Sequence, residues 1–162
     1  MHSLAQGGAS AQGGTAPSQL VTWQAAAERG LGTVVSVCIL IGANDIAGGD
    51  TTAVCIADIQ ALVNDVNTNN PAATIYLMQL VPTLGHYTTL VLQQRWRDIN
   101  DAIAGGGGTP IVNADVIVTS HVATMGDASN NLRFRGDGSD YLHEDNRGAD
   151  LLAAALVGAG LT

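Results

Sequence analysis

The sequence predicts an α/β protein: a parallel sheet with helices on both faces. Three observations carry this. Residues 34–41, 74–81 and 111–119 are apolar runs of strand length, the first two rich in β-branched and aliphatic residues. The segments between them place apolar residues at helical spacing. Strands that alternate with helices pair in parallel, because each connection must cross back over the sheet.

Taken in order, residues 5–14 form a Gly/Ala/Ser/Gln loop. Residues 17–29 read as a helix, with Pro17 suited to the first turn, Leu20, Val21, Gln24 and Ala27 at helical spacing, and Gly30 as the stop. Residues 34–41, VVSVCILI, read as a strand buried on both faces. It ends in the turn Gly42-Ala43-Asn44-Asp45. Asp50 or Thr51 can cap a helix reaching about Asn67, with Val54, Ile59, Leu62, Val63 and Val66 on its apolar side. Pro71 breaks the chain ahead of TIYLMQLV, residues 74–81, a second buried strand closed by Pro82. Residues 88–104 form a helix with Leu92, Trp96, Ile99 and Ile103 on one side, stopped by Gly105 to Gly108. A third strand over 111–119 is followed by a long irregular loop from His121 to about Leu142, and an Ala/Leu-rich helix over 146–157 ends the chain. No repeat or linker divides these elements, so the 162 residues are read as a single domain.

Composition narrows the function classes. Hydrophobic residues make up 46% and charged residues 12%, which is globular rather than disordered. Net charge is −8 and lysine is absent, so the chain as a whole repels a phosphate backbone and nucleic acid is not expected as a partner. Arg133 and Arg135 form a basic pair that could meet an anionic group or simply face water. No apolar run is long enough to span a bilayer, so no membrane partner is expected. The first residues lack a basic stretch followed by an apolar one, so they do not read as a signal peptide, and the compartment, secreted or cytoplasmic, stays open. Cys38 and Cys55 read as two buried free thiols. No His/Cys/Asp/Glu set has metal-ligand spacing, and no glycine run has the Lys-Ser/Thr of a phosphate loop, so neither metal nor cofactor is expected.

In a parallel α/β sheet the working loops lie beyond the carboxyl ends of the strands. Three stretches should therefore converge there: residues 42–49, 82–87 and 120 onward. In the first, the Asn44 amide can donate to a developing oxyanion, although Asn and Asp are also ordinary turn residues. In the third, Asp140 precedes His143 by three residues. A carboxylate so placed can accept the imidazole Nδ1–H and leave Nε2 free as a base. Asp137 is a competing acid with a less suited spacing. His121, at the end of the third strand, is placed for a supporting or substrate contact.

The pair of motifs, "ILIGAND" and "DYLHEDNRGADLLAAAL", in this order and about a hundred residues apart, resembles the SGNH/GDSL hydrolase family. The stretch "LAQGGASAQGG" is similar to that family's second block, with Gly8 at the glycine whose N–H serves the oxyanion hole. The resemblance implies a flavodoxin-like three-layer α/β/α sandwich. It also implies hydrolysis of a carboxylic ester by acyl transfer, with His143 as base, Asp140 orienting it, and Asn44 and Gly8 holding the oxyanion. Short acyl esters, including acetyl groups on sugars, are the substrate class that follows. The family's Gly-Asp-Ser block is not present in recognisable form. Ser3, in "MHSL", stands in the serine's place on one alignment, and Ser10 in the Gly-rich loop is a second candidate. The expectation is thus a sheet lacking its N-terminal strand or strands, with an exposed edge open to pairing with a second copy. A truncated or degenerate, catalytically silent domain with a binding or structural role is the alternative.

Overall fold

The computed structural model describes residues 34–83, 85, 87–125 and 146–161. These form an α/β sandwich around a three-stranded parallel sheet. The elements in chain order are β1 (Ser36–Ile39), α1 (Ala43–Gly48), α2 (Thr52–Asn69), β2 (Thr74–Met78), α3 (Leu90–Ile103), β3 (Val116–Val118), α4 (Ser120–Met125) and α5 (Asn146–Gly158). Strand order is β1-β2-β3, with Cys38 opposite Tyr76 and Leu77 opposite Ile117. The expected glycine-rich loop over 5–14 and helix over 17–29 lie outside the described residues.

Side-chain alternation along β2 divides the core in two. Ile75 and Leu77 point to one face and Tyr76 and Met78 to the other, as the period of two requires. The first face packs on α1, α2 and α3 through Ile46, Ile59, Val63, Trp96 and Ile99. The second packs on α4 and α5 through Met125, Leu152 and Ala155. Two successive crossovers of one hand, stepping in one direction, put their helices on one face, which is where α2 and α3 lie. The final helix then covers the other face. Among the described residues, no helix is long and apolar enough to cross a membrane.

The two long helices start where capping chemistry allows. Thr51 accepts from the Val54 N–H and Thr89 from the Leu92 N–H, each at 3.3 Å.

Several sequence expectations are corrected. The strand expected over 111–119 is only Val116–Val118. Side chains replace the ladder ahead of it. The Gln60 amide takes both the Val112 N–H (2.7 Å) and its carbonyl (2.9 Å), and Asn113 adopts φ 68°, the one non-glycine residue described with positive φ. The Asp115 carboxylate then accepts the Ile75 N–H at 2.8 Å.

The strand expected over 74–81 stops at Met78 for a related reason: Asn100 reaches from α3 to clamp Leu80, accepting its N–H (2.6 Å) and donating to its carbonyl (3.0 Å). The Trp96 indole donates to the same carbonyl at 2.8 Å.

The strand expected over 34–41 is Ser36–Ile39, and it is not buried on both faces: Val35 and Cys38 are exposed. Only Cys55 of the two thiols is buried. Among the described residues β1 pairs on one side alone, so it has fewer neighbours to cover it than the central β2. The turn after β1 and the start of the loop after β3 are short helices, α1 and α4.

Candidate functional site

The carboxyl ends of β1, β2 and β3 lead into residues 40–51, 79–89 and 119 onward, and contacts across the sheet edge tie these segments together. The His121 ring nitrogen Nε2 lies 2.8 Å from the Gln79 carbonyl oxygen. Arg95 on α3 donates through Nη1 to the Gly49 and Asp50 carbonyls, at 3.0 and 2.8 Å, which fastens the far end of α1 to α3. Among the described residues the third segment thus touches the second through His121 and Gln79, and the first is tied to α3 through Arg95.

Asn44 stands in the first turn of α1, half-buried, just past β1. Gly42 makes that placement possible. Its φ is 122°, a region that side chains rarely adopt, and a Cβ there would lie 3.2 Å from the Ile59 Cδ1 atom and 3.5 Å from both Leu80 methyls. The chain can turn sharply against the core only with glycine at this position. Gly42 then accepts the first helical bond, from the Ile46 N–H at 3.1 Å. Chemically, the Asn44 amide is a two-proton donor on the sheet edge where substrates of α/β folds bind.

Of the other residues singled out in the sequence, Ser3, Gly8, Ser10, Asp137, Asp140 and His143 lie outside the described residues, as do Arg133, Arg135 and His86. Their mutual geometry is not part of the described structure.

Three features of this edge were not anticipated. His121 is not a strand-end residue but begins α4. It is 1% exposed, and its Nδ1 has no hydrogen-bond partner. Burial lowers its proton affinity, against the opposing effect of the Gln79 carbonyl. Thr83, 2% exposed, has a buried hydroxyl without a hydrogen-bond partner. The signal in the sequence was its place directly after Pro82 at a strand's carboxyl end.

The third feature is a trio of carboxylates, Asp45, Asp50 and Asp58, each offering an oxygen within 4.8 Å of the others. Spacing did not reveal it, because the residues come from α1, the following loop and α2. Burial raises the Asp58 carboxyl above its ordinary range, and the charges of Asp45 and Asp50 add to this. A carboxylate cluster alone does not define a metal centre.

The remaining reactive groups fit the core. Burial pushes the Cys55 thiol up to about 12, with Asp45, Asp50 and Asp58 adding to the rise and Arg95 opposing it. A thiol so held is not a nucleophile at neutral pH. Burial also moves the Tyr87 phenol well above its ordinary range. Its ring packs against Trp96 with centroids 6.2 Å apart. A shallow, mostly apolar groove of about 170 Å³ lies between α2 and the loop after α3, lined by Ala53, Ile56, Ala57, Gln60, Thr109 and Pro110, and shares none of these edge residues. No protein-family model and no curated protein matches the chain.

Proposed function

We propose that the chain is an SGNH/GDSL-type carboxylic ester hydrolase that acts by acyl transfer on short-chain or carbohydrate acyl esters. The observation that carries this reading is the glycine-dependent turn that sets Asn44 just past β1, on the carboxyl edge of a parallel sheet. The Asp140–His143 spacing ahead of α5 supports it from the sequence. The family's flavodoxin-like form of the sandwich belongs to the same reading.

The chemistry follows from acyl transfer. A serine hydroxyl, from Ser3 or Ser10, attacks the ester carbonyl while His143 Nε2 takes its proton. Asp140 holds the opposite ring nitrogen and stabilises the imidazolium. The oxyanion is held by the Asn44 amide and the Gly8 N–H. Collapse expels the alcohol, which receives the proton from His143. Water, activated by the same ring, then releases the acid and restores the serine.

A non-catalytic binding or structural role is the second reading. Turnover of p-nitrophenyl acetate separates the two. The hydrolase reading predicts slow turnover, since neither candidate serine follows a recognisable strand, and its loss in His143→Ala because members of a triad act as a unit. Turnover that survives His143→Ala contradicts this reading. Complete inactivity of the unaltered chain favours the non-catalytic role.

A further inference from the structure

The joint between β2 and α4 has an unusual chemical state. The His121 ring is 1% exposed and touches the Gln79 carbonyl through Nε2 at 2.8 Å. A carbonyl can only accept, so Nε2 carries the proton and the neutral ring keeps a lone pair on Nδ1. That Nδ1 is buried and has no hydrogen-bond partner. A second proton would create an N–H donor and a full charge at a buried atom that has no hydrogen-bond partner among the described residues. Either the ring stays neutral or the joint opens to hydrate it.

We propose that His121 is an acid-operated latch: proton uptake at Nδ1 opens the joint between the carboxyl end of β2 and the first turn of α4. Gln79 is fixed on its other sides by its own N–H to the Val118 carbonyl (3.0 Å) and by its amide to the Asn100 carbonyl (2.9 Å). The ionisable groups on the neighbouring elements are Tyr76 on β2, Arg95, Arg97, Asp98 and Asp101 on α3, Asp115 before β3, and Arg147 and Asp150 on α5. Burial disfavours the charged form of the ring, and the Gln79 carbonyl opposes this. The latch does not depend on the hydrolase reading.

The sign of the effect is fixed. The ring's proton affinity is lower in the folded chain than the ordinary histidine value of about 6.5. The neutral ring's contribution is complete above that value. It declines as pH falls below it, until the folded chain also takes up the proton.

The chain carries its own reporter. Trp96 donates to the Leu80 carbonyl at 2.8 Å, one residue from Gln79. Trp23→Phe leaves Trp96 as the sole tryptophan of the full chain. In that background we expect a reversible change in Trp96 emission between pH 8 and 5, with its midpoint below about 6.5. The change should vanish in His121→Gln, which keeps a side-chain donor but cannot titrate, and persist in His86→Gln and His143→Gln. A change that survives His121→Gln, or no change in the parent, overturns the latch. Should His121→Gln fail to fold, the NMR titration of the His121 ring protons in the unmodified chain decides. A midpoint below about 6.5 supports the latch, and one at or above it overturns it.

Discussion

Asn44→Ala is expected to lower kcat for ester hydrolysis by about 10²–10³-fold, the usual cost of one lost oxyanion donor. KM should change little. On the proposed mechanism the amide meets charge that develops only in the transition state, so removing it would spare substrate binding. The half-buried side chain sits on a six-residue helix whose neighbours Gly42, Ile46 and Arg95 are left unchanged by the substitution. The urea midpoint of the variant, measured beside its kinetics, separates the two effects. An unchanged kcat in a folded variant removes Asn44 from the mechanism. A rise in KM alone would assign it to substrate binding.

The largest effect on stability is expected from Leu77→Ala. Leu77 is 1% exposed in the middle strand, flanked in register by Ile39 on β1 and Ile117 on β3, beneath the helices of the larger core. Its two cross-strand neighbours are held by sheet hydrogen bonds and cannot collapse freely into the space it leaves. The loss should be about 2–5 kcal/mol, combining the transfer of the removed carbons with the cavity left behind. Domains of this kind are stable by roughly 5–15 kcal/mol, so the change takes a large share of the total. Urea unfolding should show the midpoint falling with little change in slope. The control is Val157→Ala on the exposed side of α5, where Val157 is 68% exposed and the shift should stay within about 0.5 kcal/mol. Equal midpoints for the two variants would contradict the account of the core.

How much of this was legible in the sequence depended on range. β2 stood out because a strand buried on both faces is apolar without interruption, and Ile75 to Met78 have that character. The long helices were legible from their period, and α2 also from a cap at Asp50 or Thr51, to within two residues at each end. The six-residue α1 and α4 were not, since so short a segment has too few turns to show a period and is made of turn-compatible residues. The shortening of β3 could not be seen either. It depends on Gln60 reaching a partner 52 residues away and on Asp115 capturing an N–H on β2.

The site shows the same division. The place of Asn44 beyond the carboxyl end of β1 was legible because the apolar run of a strand precedes it; its role belongs to the proposed function. The carboxylate trio and the burial of His121 were not, because each arises from contacts between separate elements. Cys38 was misread as buried because an apolar run does not reveal which strand, among the described residues, has a neighbour on one side only.

The central claim is that this chain holds a serine activated by His143 beside the Asn44 edge. The most direct test is reaction of the full chain with a fluorophosphonate, followed by peptide mapping. The reagent phosphonylates a serine hydroxyl, with fluoride leaving, only when a base withdraws the hydroxyl proton and the developing charge is held. The account predicts one modified serine, Ser3 or Ser10, with labelling lost on denaturation and in His143→Ala. No labelled serine, or labelling that is equal in His143→Ala, would contradict it.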